Sequence, residues 1–386
     1  MLAKECKRCN KKSDLIEMDK RLGIVTWYGT NPQGYNFGTA LQSYALQRVL
    51  RDMGYDARMI SFKKPERKNP VKSVLGRLGL LGALRSARRF MYSGHFLEEG
   101  AVRRLRKWNQ KHYREATQEG IHCFVSGSDQ IWNTYHHFDP HFFLDFAGDA
   151  KRVSYASSIG TGGVNPQYAE KVKSLLSAFS YITTREEAGA EALRQLTGRK
   201  DIRRAQDPTL LMRPEDWRRF GREEDLHQKT EQEYLLCYLL SKKSEYIDQV
   251  QDVALRLGLN KIVIVPALEN DEFFVEGAVR YVNATPCEFV RLIDEAKFVC
   301  TDSFHATVLS MLLSRPFVEF MRFDDGDTHS QNSRIYEILG RYRLVERIYN
   351  YDSEKWSASI DYVPINNAIE YDREESLILL RKMIEE

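Results

Sequence analysis

The sequence lacks the features of membrane-spanning, disordered and fibrous proteins. Its longest apolar stretches, such as Leu235–Leu240, are far shorter than the roughly 20 residues of a membrane-spanning helix. Glycine and proline are scarce, at 23 and 11 of 386 residues, while aromatic residues make up 11%, which excludes a disordered or collagen-like chain. The N-terminal segment MLAKECKRCNKKSDLIEMDKR has no apolar core of a signal peptide. We therefore expect a soluble, cytoplasmic, globular protein.

Cysteine is also scarce, and its spacing does not indicate a complete metal site. Cys6 and Cys9 form a C-x-x-C pair, but no second pair follows to complete four zinc ligands. The pair is interpreted either as part of a frayed tail or as half of a site that borrows ligands from another chain. The remaining cysteines lie mostly between apolar residues, which is typical of reduced thiols in a core.

Charge is nearly balanced overall but is concentrated in one segment. The net charge is +3, yet Lys63–Arg114 holds 15 Lys and Arg residues against three acidic ones, which makes it +12 and leaves −9 elsewhere. Apolar residues at helical spacing, such as Val71, Val74 and Leu75, predict basic amphipathic helices over 63–115. We interpret this insertion either as a solvated surface or as a docking surface for an anionic substrate, a lipid-linked acceptor or the membrane face. No nucleic-acid-binding module surrounds it, so we expect no nucleic-acid partner.

Short β-type runs alternate with helical patterns from residue 21 onward, which predicts parallel, doubly wound α/β sheets. A polar, charged stretch at 213–233 separates two such series and is interpreted as a linker. We therefore expect an N-terminal tail (1–20), a first Rossmann-like domain (21–212) containing the basic insertion, and a second one (234–350). The C-terminal tail and helix (351–386) are expected to return and cover the first domain. The predicted strands are Arg21–Gly29, Ala57–Phe62, His122–Val125, Arg152–Tyr155, Tyr181–Thr184 and Ile202–Ala205, then Tyr234–Leu240, Lys261–Val265, Phe298–Thr301 and Pro316–Phe320.

Ligands of open parallel sheets bind where strands turn into helices, and several predicted turns carry polar residues. The first turn contains Asn36, Gly38 and Thr39, where glycine lets the backbone approach a ligand and the helix N-terminus offers unpaired N–H groups. Its spacing is not G-x-G-x-x-G, which disfavours a dinucleotide. A tight turn without a ligand is the alternative interpretation.

The turn after His122–Val125 contains short hydrogen-bonding side chains beside an indole, a composition that suits a polyhydroxylated ligand such as a sugar. These residues are Ser128, Asp129, Gln130 and Trp132. Capping of a helix by Ser128 or Asp129 is the structural alternative.

Two further turns carry groups suited to anion binding and proton transfer. Arg185 lies between a strand and a helix, where a guanidinium binds phosphate or carboxylate in a bidentate manner or pairs with a nearby acid. His305 follows Asp302 and Ser303 at another strand-to-helix junction and can exchange a proton near neutral pH. A hydrogen-bonded core histidine is the alternative, but the polar neighbours favour function. A serine hydrolase is disfavoured because no G-x-S-x-G elbow is present.

A fifth polar turn contains Arg322 and is followed by Asn332 and Arg334 at the start of a helix. Asp325 and Asp327 in this turn resemble an acidic pair that holds a metal. Such a sequence more commonly forms a polar turn without a metal. Arg334 is placed to reach an anion in the cleft between the domains.

Taken in order, several segments resemble the polysaccharide pyruvyl transferase family. They are NFGTALQSYALQRVLRDMGYDARMI, VSGSDQIWN, RVSYASSIG, TTREEAGAEAL, DPTLL, TDSFHATVLSMLLSRPFVEF and NSRIYEIL. The resemblance covers the chain from about Leu22 to Leu339. It implies a GT-B-like α/β fold, with two Rossmann-like domains facing across a cleft. It also implies transfer of the enolpyruvyl group of phosphoenolpyruvate to a sugar, usually as a cyclic ketal, with release of phosphate.

The resemblance implies roles for individual residues. His305 matches the family's T-D-S-x-H histidine, a general acid, and Arg185 matches its R-E arginine, a ligand of the donor's phosphate or carboxylate. The chain departs from the family at Ala306, where glycine is usual, and about twenty positions beyond His305, where a basic residue is usual and Phe323-Asp324 stands here. The nearest cations are Arg322, His329 and Arg334. The residues expected to bind substrate are Asn36, Gly38, Thr39, Ser128, Asp129, Gln130, Trp132, Asp302, Ser303, Arg322, Asn332 and Arg334.

The partners implied by the resemblance are phosphoenolpyruvate and a sugar or lipid-linked oligosaccharide acceptor, with no metal or organic cofactor and with peripheral membrane contact through 63–115. Two other functions are considered. One is a GT-B glycosyltransferase that uses a nucleotide sugar, with Asp325 and Asp327 holding a cation. The other is a non-catalytic glycan-binding relative that has lost a donor contact. Binding of a nucleotide in place of phosphoenolpyruvate would favour the former, and sugar binding without turnover would favour the latter.

Overall fold

Two parallel β-sheets, each flanked by helices, make up the fold. The computed structural model describes residues 21–28, 36–61, 104–107, 120–228, 230, 233–267, 270, 272–324, 327 and 330–386, with the backbone alone at 61 and 104–107. Every strand pair in both sheets is parallel. The predicted pair of doubly wound α/β sheets is therefore confirmed.

The first sheet has seven strands in the order β3-β2-β1-β4-β5-β6-β7. They are β1 (Arg21–Val25), β2 (Asp56–Ser61), β3 (Arg104–Lys107), β4 (Cys123–Ser126), β5 (Lys151–Ser157), β6 (Tyr181–Thr184) and β7 (Arg203–Arg204). Successive residues of the central strands enter different core clusters, as Ile24 and Val25 do, because side chains alternate between the two faces of a strand. Both faces of this sheet are therefore buried, as is usual for parallel sheets.

The helices of the first domain and of the connection to the second are α1 (Phe37–Asp52), α2 (Ala169–Leu176), α3 (Glu187–Thr197), α4 (Pro208–Leu211) and α5 (Pro214–Gly221). The second sheet has the order β10-β9-β8-β11-β12. Its elements are β8 (Leu235–Tyr238), α6 (Tyr246–Leu257), β9 (Ile262–Ile264), β10 (Val279–Arg280), α7 (Pro286–Glu295), β11 (Phe298–Thr301), α8 (Phe304–Leu312), β12 (Phe317–Glu319), α9 (Ser333–Arg341) and α10 (Tyr362–Glu385).

The structure describes a short part of the basic insertion, and that part forms a strand. Arg104–Lys107 pairs with β2 at the edge of the first sheet, so the prediction of a helix is wrong at this point. Charged residues are common on edge strands because they discourage pairing with another chain. The remainder of 63–115 lies outside the described residues, as does the 1–20 segment with Cys6 and Cys9.

The segment 213–233, predicted as a linker, contains the packed helix α5. Trp217 is fully buried and donates a hydrogen bond from its indole nitrogen to the carbonyl of Thr209 (2.9 Å). The Phe220 ring lies 4.7 Å from the Tyr44 ring of α1. These aromatic residues project from one face of α5 into the core between the two domains. The sequence did not indicate this packing, because most of the segment is polar.

The C-terminal helix α10 packs against the first domain. Its Ser376 hydroxyl accepts a hydrogen bond from the amide nitrogen of Gln206 (3.1 Å), and the carbonyl of Ile384 accepts one from Lys151 Nζ (3.0 Å). Asp372 of α10 forms ion pairs with Arg204 of the first domain and Arg341 of the second. The helix thus ties the two domains together. Among the described residues, no helix combines the length and the apolar character needed to cross a lipid bilayer.

One hydrophobic core runs through both domains at the start of α1. The Phe37 ring stacks on Phe289 of α7 with a centroid distance of 4.3 Å and also contacts the Tyr238 ring of β8. Residues of α1, β8 and α7 therefore belong to a single cluster of buried side chains. This contact fixes the N-terminus of α1 against the second domain.

We expect Phe37→Ala to lower the free energy of unfolding by about 3–5 kcal/mol, because it opens a cavity between the two domains. Urea unfolding followed by circular dichroism measures the effect. Phe274→Ala is the matched control, because Phe274 is about half exposed, and a change of less than about 0.5 kcal/mol is expected there. Equal effects of the two substitutions would show that Phe37 does not join the domains.

Candidate active site

The carboxylate of Asp207 lies where strand ends of the two domains meet. Its Oδ2 atom is 3.1 Å from Arg185 Nη1 of the first domain and 3.4 Å from His305 Nε2 of the second. Oδ2 also accepts a hydrogen bond from Ser128 Oγ (3.2 Å), while Oδ1 accepts from the amide nitrogen and hydroxyl of Thr209. Burial opposes ionisation, but the charges of His305 and Arg185 outweigh it and hold the pKa of Asp207 far below its usual range. Asp207 is therefore ionised at neutral pH.

Arg185 is buried directly after β6. Its Nε donates to Glu186 Oε1 (2.8 Å), and its guanidinium lies 4.2 Å from the centre of the Phe304 ring. Burial alone would lower its pKa, but the carboxylates of Glu186, Asp207 and Asp129 more than compensate and raise it above its usual value. Its Nη2 atom has no hydrogen-bond partner among the described residues. Arg185 thus has a fixed charge and one donor that is available to a ligand.

Arg334, the second residue of α9, is a buried cation of a different kind. It lies on the other side of the cleft, 6.0 Å from the same Phe304 ring. It forms no hydrogen bond or ion pair with any residue that the structure describes, and its Nε is buried without a partner. Burial and the positive charges of Arg185 and Arg322 lower its pKa to about 10. A buried guanidinium without an anion is unfavourable, so this position is suited to an anionic ligand.

His305 is the second residue of α8, and its ring lies against the start of α1. A Cβ atom added to Gly38 would lie 2.1 Å from His305 Nδ1, so only glycine permits this approach. Ser303, the residue before α8, is buried and makes no capping hydrogen bond with its side chain. The N-terminus of α8, with its unpaired N–H groups and positive dipole end, therefore lies beside His305 in the same place.

The first and second polar turns are joined by a hydrogen bond. Asn36 caps α1 by accepting from the amide nitrogen of Thr39 (3.3 Å), and Thr39 Oγ1 donates to Asp129 Oδ2 (2.8 Å). Asp129 Oδ1 accepts from the amide nitrogen of Gln130 (2.8 Å). A small cavity at the domain interface is bordered by Arg185, Glu186, Asp207, Phe304 and Arg334, among others.

Of the residues predicted to bind substrate, Trp132 does not face the cleft. Its indole is fully buried, donates to the carbonyl of Phe142 (3.0 Å) and stacks on Phe143 with a centroid distance of 5.1 Å. The prediction of a sugar contact by this indole is wrong, because the 3-10 turn at Pro140–Phe143 covers it.

Other predicted binding residues have structural partners. The two Asp302 carboxylate oxygens accept from the amide nitrogens of Leu240 and Ser241, so Asp302 organises a loop instead of facing a ligand. Arg322 Nε donates to Ser241 Oγ (3.0 Å), and the side chain of Asn332 bonds the backbone of Phe323.

Gln130 makes a bridge between the domains through Gln331 (2.9 Å). Asp325 and His329 lie outside the described residues. Within the described part of the chain, no three His, Cys, Asp or Glu side chains are grouped so that they could hold a metal ion.

Sequence reasoning missed Asp207, Glu186 and Phe304 as parts of the site. The signal for Asp207 was present, because Asp-Pro follows the last strand of the first series, where proline suits the first helical position and Asp the cap. Glu186 and Phe304 immediately adjoin the predicted residues Arg185 and His305. No sequence pattern indicated that the Phe304 ring lies near two arginines of different domains.

The family model for polysaccharide pyruvyl transferases matches residues 36–324, a range that contains Thr39, Asp129, Arg185, Asp207 and His305. The chain belongs to the polysaccharide pyruvyl transferase family. It is therefore an enzyme of the transferase class. No curated protein matches the sequence of this family member at a significant level.

Three solved structures are similar to this pyruvyl transferase family member at very low sequence identity. The S. aureus MnaA–UDP co-structure is 8% identical with a TM-score of 0.51, over 95% of this chain and 89% of that one. UDP-N-acetylglucosamine 2-epimerase from Rickettsia bellii is 11% identical with a TM-score of 0.48, over 94% and 96%. E. coli ADP-heptose LPS heptosyltransferase II is 11% identical with a TM-score of 0.39, over 94% and 99%. With the two parallel sheets, the first likeness supports the predicted GT-B-like fold and nothing about substrates.

We expect Asp207→Asn to lower the free energy of unfolding at pH 7 by about 3–5 kcal/mol, because it removes a carboxylate from the buried Arg185. The folded-state pKa of Asp207 lies below the unfolded value of about 3.9, so its contribution is complete above about pH 4 and decreases as the pH falls further. Urea unfolding at pH 7 and pH 3 tests this. The gap between wild type and variant should narrow at pH 3, whereas Asp352→Asn, at an exposed position, should have little effect at either pH.

Proposed function

We propose that the chain transfers the enolpyruvyl group of phosphoenolpyruvate to hydroxyl groups of a sugar in a cell-surface glycan precursor, forming a cyclic ketal and releasing phosphate. The observation that carries this proposal is Arg334, which is buried without an anionic partner among the described residues. The Arg185 guanidinium lies near the same Phe304 ring, 4.2 Å from the ring centre, against 6.0 Å for Arg334. Phosphoenolpyruvate has a phosphate and a carboxylate, so two separate guanidinium groups match its two anionic groups.

The reaction needs an acid, a nucleophile and stabilisation of the leaving phosphate. His305 gives a proton to the methylene carbon of phosphoenolpyruvate, which creates an oxocarbenium-like centre at C2 that a sugar hydroxyl attacks. A second hydroxyl then displaces phosphate and closes the ketal. Proton transfer of this kind typically contributes about 10²–10⁴-fold to a rate. Arg185, Arg334 and the N-terminus of α8 stabilise the departing phosphate, and the scheme uses no metal or organic cofactor.

The acceptor in this proposal is a sugar or a lipid-linked oligosaccharide. Phosphoenolpyruvate is a cytoplasmic metabolite, so we place the reaction in the cytoplasm. The basic segment 63–115 supports contact with an anionic lipid carrier or the inner membrane face through its charge alone, because most of it lies outside the described residues.

We expect phosphoenolpyruvate to bind the wild type saturably, and Arg334→Met to weaken binding by about 1.5–3 kcal/mol, the scale of a charged hydrogen bond. The same substitution should raise the free energy of unfolding by about 1–3 kcal/mol. The reason is that burial lowers the pKa of Arg334 to about 10, so the charged form destabilises the fold at neutral pH. Calorimetry and urea unfolding measure the two effects. Weaker binding by a more stable protein cannot result from misfolding.

Two control variants and two control ligands complete this experiment. Arg381→Met removes an exposed arginine of α10 and should change neither binding nor stability. Arg185→Ala should weaken binding and also destabilise the fold, because it leaves Glu186 and Asp207 buried without their cation. UDP and GDP should not bind. Binding of UDP instead of phosphoenolpyruvate would overturn the proposal and favour a glycosyltransferase, and unchanged phosphoenolpyruvate binding by Arg334→Met would remove its main support.

A further inference from the structure

We propose that Asp129 is the general base that takes the proton from the acceptor hydroxyl, an inference that rests on the proposed transfer reaction. The scheme above supplies an acid but no group to receive the hydroxyl proton. A sugar hydroxyl is a weak nucleophile, so a base within hydrogen-bond reach is needed as it attacks C2.

The backbone of Asp129 holds its carboxylate in an unusual position. Its φ angle is 73°, in the left-handed region that residues other than glycine rarely adopt. Its carbonyl oxygen accepts hydrogen bonds from the amide nitrogens of Ile131 (2.7 Å) and Ser158 (2.9 Å), which fix this conformation. The turn follows β4, at the point where the strand order of the first sheet reverses and ligands of such sheets bind. Backbone strain of this kind is concentrated at functional sites.

Two short chains of contacts connect Asp129 with the surroundings of the proposed acid. Asp129 Oδ2 accepts from Thr39 Oγ1 (2.8 Å), and the preceding residue of α1, Gly38, lies directly against the His305 ring. On the other side, Ser128 donates to Asp207, the carboxylate that lies 3.4 Å from His305 Nε2. Asp129 is therefore linked, through Thr39 and through Ser128, to the two residues that approach His305, Gly38 and Asp207.

The charge of Asp129 acts on the proposed donor-binding cations of both domains. It contributes to the raised pKa of Arg185 and partly offsets the lowered pKa of Arg334. The Asp129 carboxylate therefore lies within electrostatic range of both guanidinium groups that are proposed to bind phosphoenolpyruvate.

The other carboxylates of the site are less suited to serve as the base. Asp207 is fully buried, and its carboxylate already accepts hydrogen bonds from Arg185, Ser128 and Thr209. Glu186 is also buried, and its Oε1 accepts from Arg185 Nε and from Ser158 Oγ. Asp129 is partly exposed, and its carboxylate accepts hydrogen bonds from a hydroxyl and a backbone amide, neither of them a cation. Of these three carboxylates, Asp129 is the one that an acceptor can reach.

His305 and Asp129 together can carry every proton that moves in the two steps of the transfer. In the first step, His305 gives a proton to C3, the first acceptor oxygen bonds to C2, and Asp129 receives the proton of that hydroxyl. In the second step, the second acceptor oxygen bonds to C2 and the C2–O bond to phosphate breaks, its electron pair leaving with phosphate. His305 takes the second hydroxyl proton and Asp129 gives its proton to the phosphate, so both side chains return to their starting states.

The test is Asp129→Asn, which keeps the size of the side chain and is tolerated in the left-handed backbone region. Phosphoenolpyruvate binding is measured by calorimetry, and transfer from it to a set of methyl hexopyranosides with free 4- and 6-hydroxyls is measured by phosphate release and mass spectrometry. Asp139→Asn is the matched control, because Asp139 caps a 3-10 turn at Pro140–Phe143 in the same domain.

We expect Asp129→Asn to bind phosphoenolpyruvate at least as tightly as wild type, because a negative charge near both guanidinium groups is removed. We also expect it to slow transfer by about 10²–10⁴-fold and to lose the acidic limb of the pH–rate profile. Transfer at the wild-type rate, or a slower rate with the acidic limb retained, would overturn the role of Asp129 and leave the proposed function intact. A wild type that binds phosphoenolpyruvate but transfers it to none of these sugars would also remove the inference. A wild type that does not bind phosphoenolpyruvate would overturn the proposed function itself.

Discussion

The arrangement of this protein depends on how it neutralises positive charge at the interface of two domains. Buried charges are tolerated when they are paired, and Asp207 provides a carboxylate for Arg185 of one domain and lies beside His305 of the other. Arg334 is the exception, because none of the described residues pairs with it. Arg185 is therefore paired with carboxylates at the interface, whereas Arg334 has no anion among the described residues, so its position is suited to an anionic ligand.

The fold explains why these groups meet. In each parallel sheet the loops that follow the strands lie at the carboxyl ends of the strands. Residues from these loops of the two sheets meet here, as Asp207 after β7 and His305 after β11 do. Phe37 at the start of α1 packs on the second domain, and α10 ties the two domains together through Asp372. The hydrophobic and ionic contacts that hold the domains together thus also set the spacing of the polar groups between them.

Much of this organisation was predictable because strand and helix periodicities are local. The predicted strands of both sheets are present, with ends shifted by a few residues, whereas β10, a strand of two residues, carries no detectable pattern. The buried side of α5 was missed because Trp217 and Phe220 stand among charged residues. Trp132 was misassigned for a related reason. The sequence around a tryptophan beside a polar turn is the same whether its indole faces a cleft or a core. Long-range proximity, such as that of Asp207 to His305, has no local signal at all.

The contact between Gly38 and His305 has a consequence for the evolution of the family. The glycine belongs to the first domain and the histidine to the second, and the ring fits only because position 38 has no side chain. An exchange of one domain between two relatives would join a first domain from one parent to a second domain from the other. Such a chimaera would keep this geometry only where both parents had the same pair, so the two positions should be inherited together although they lie far apart in the chain.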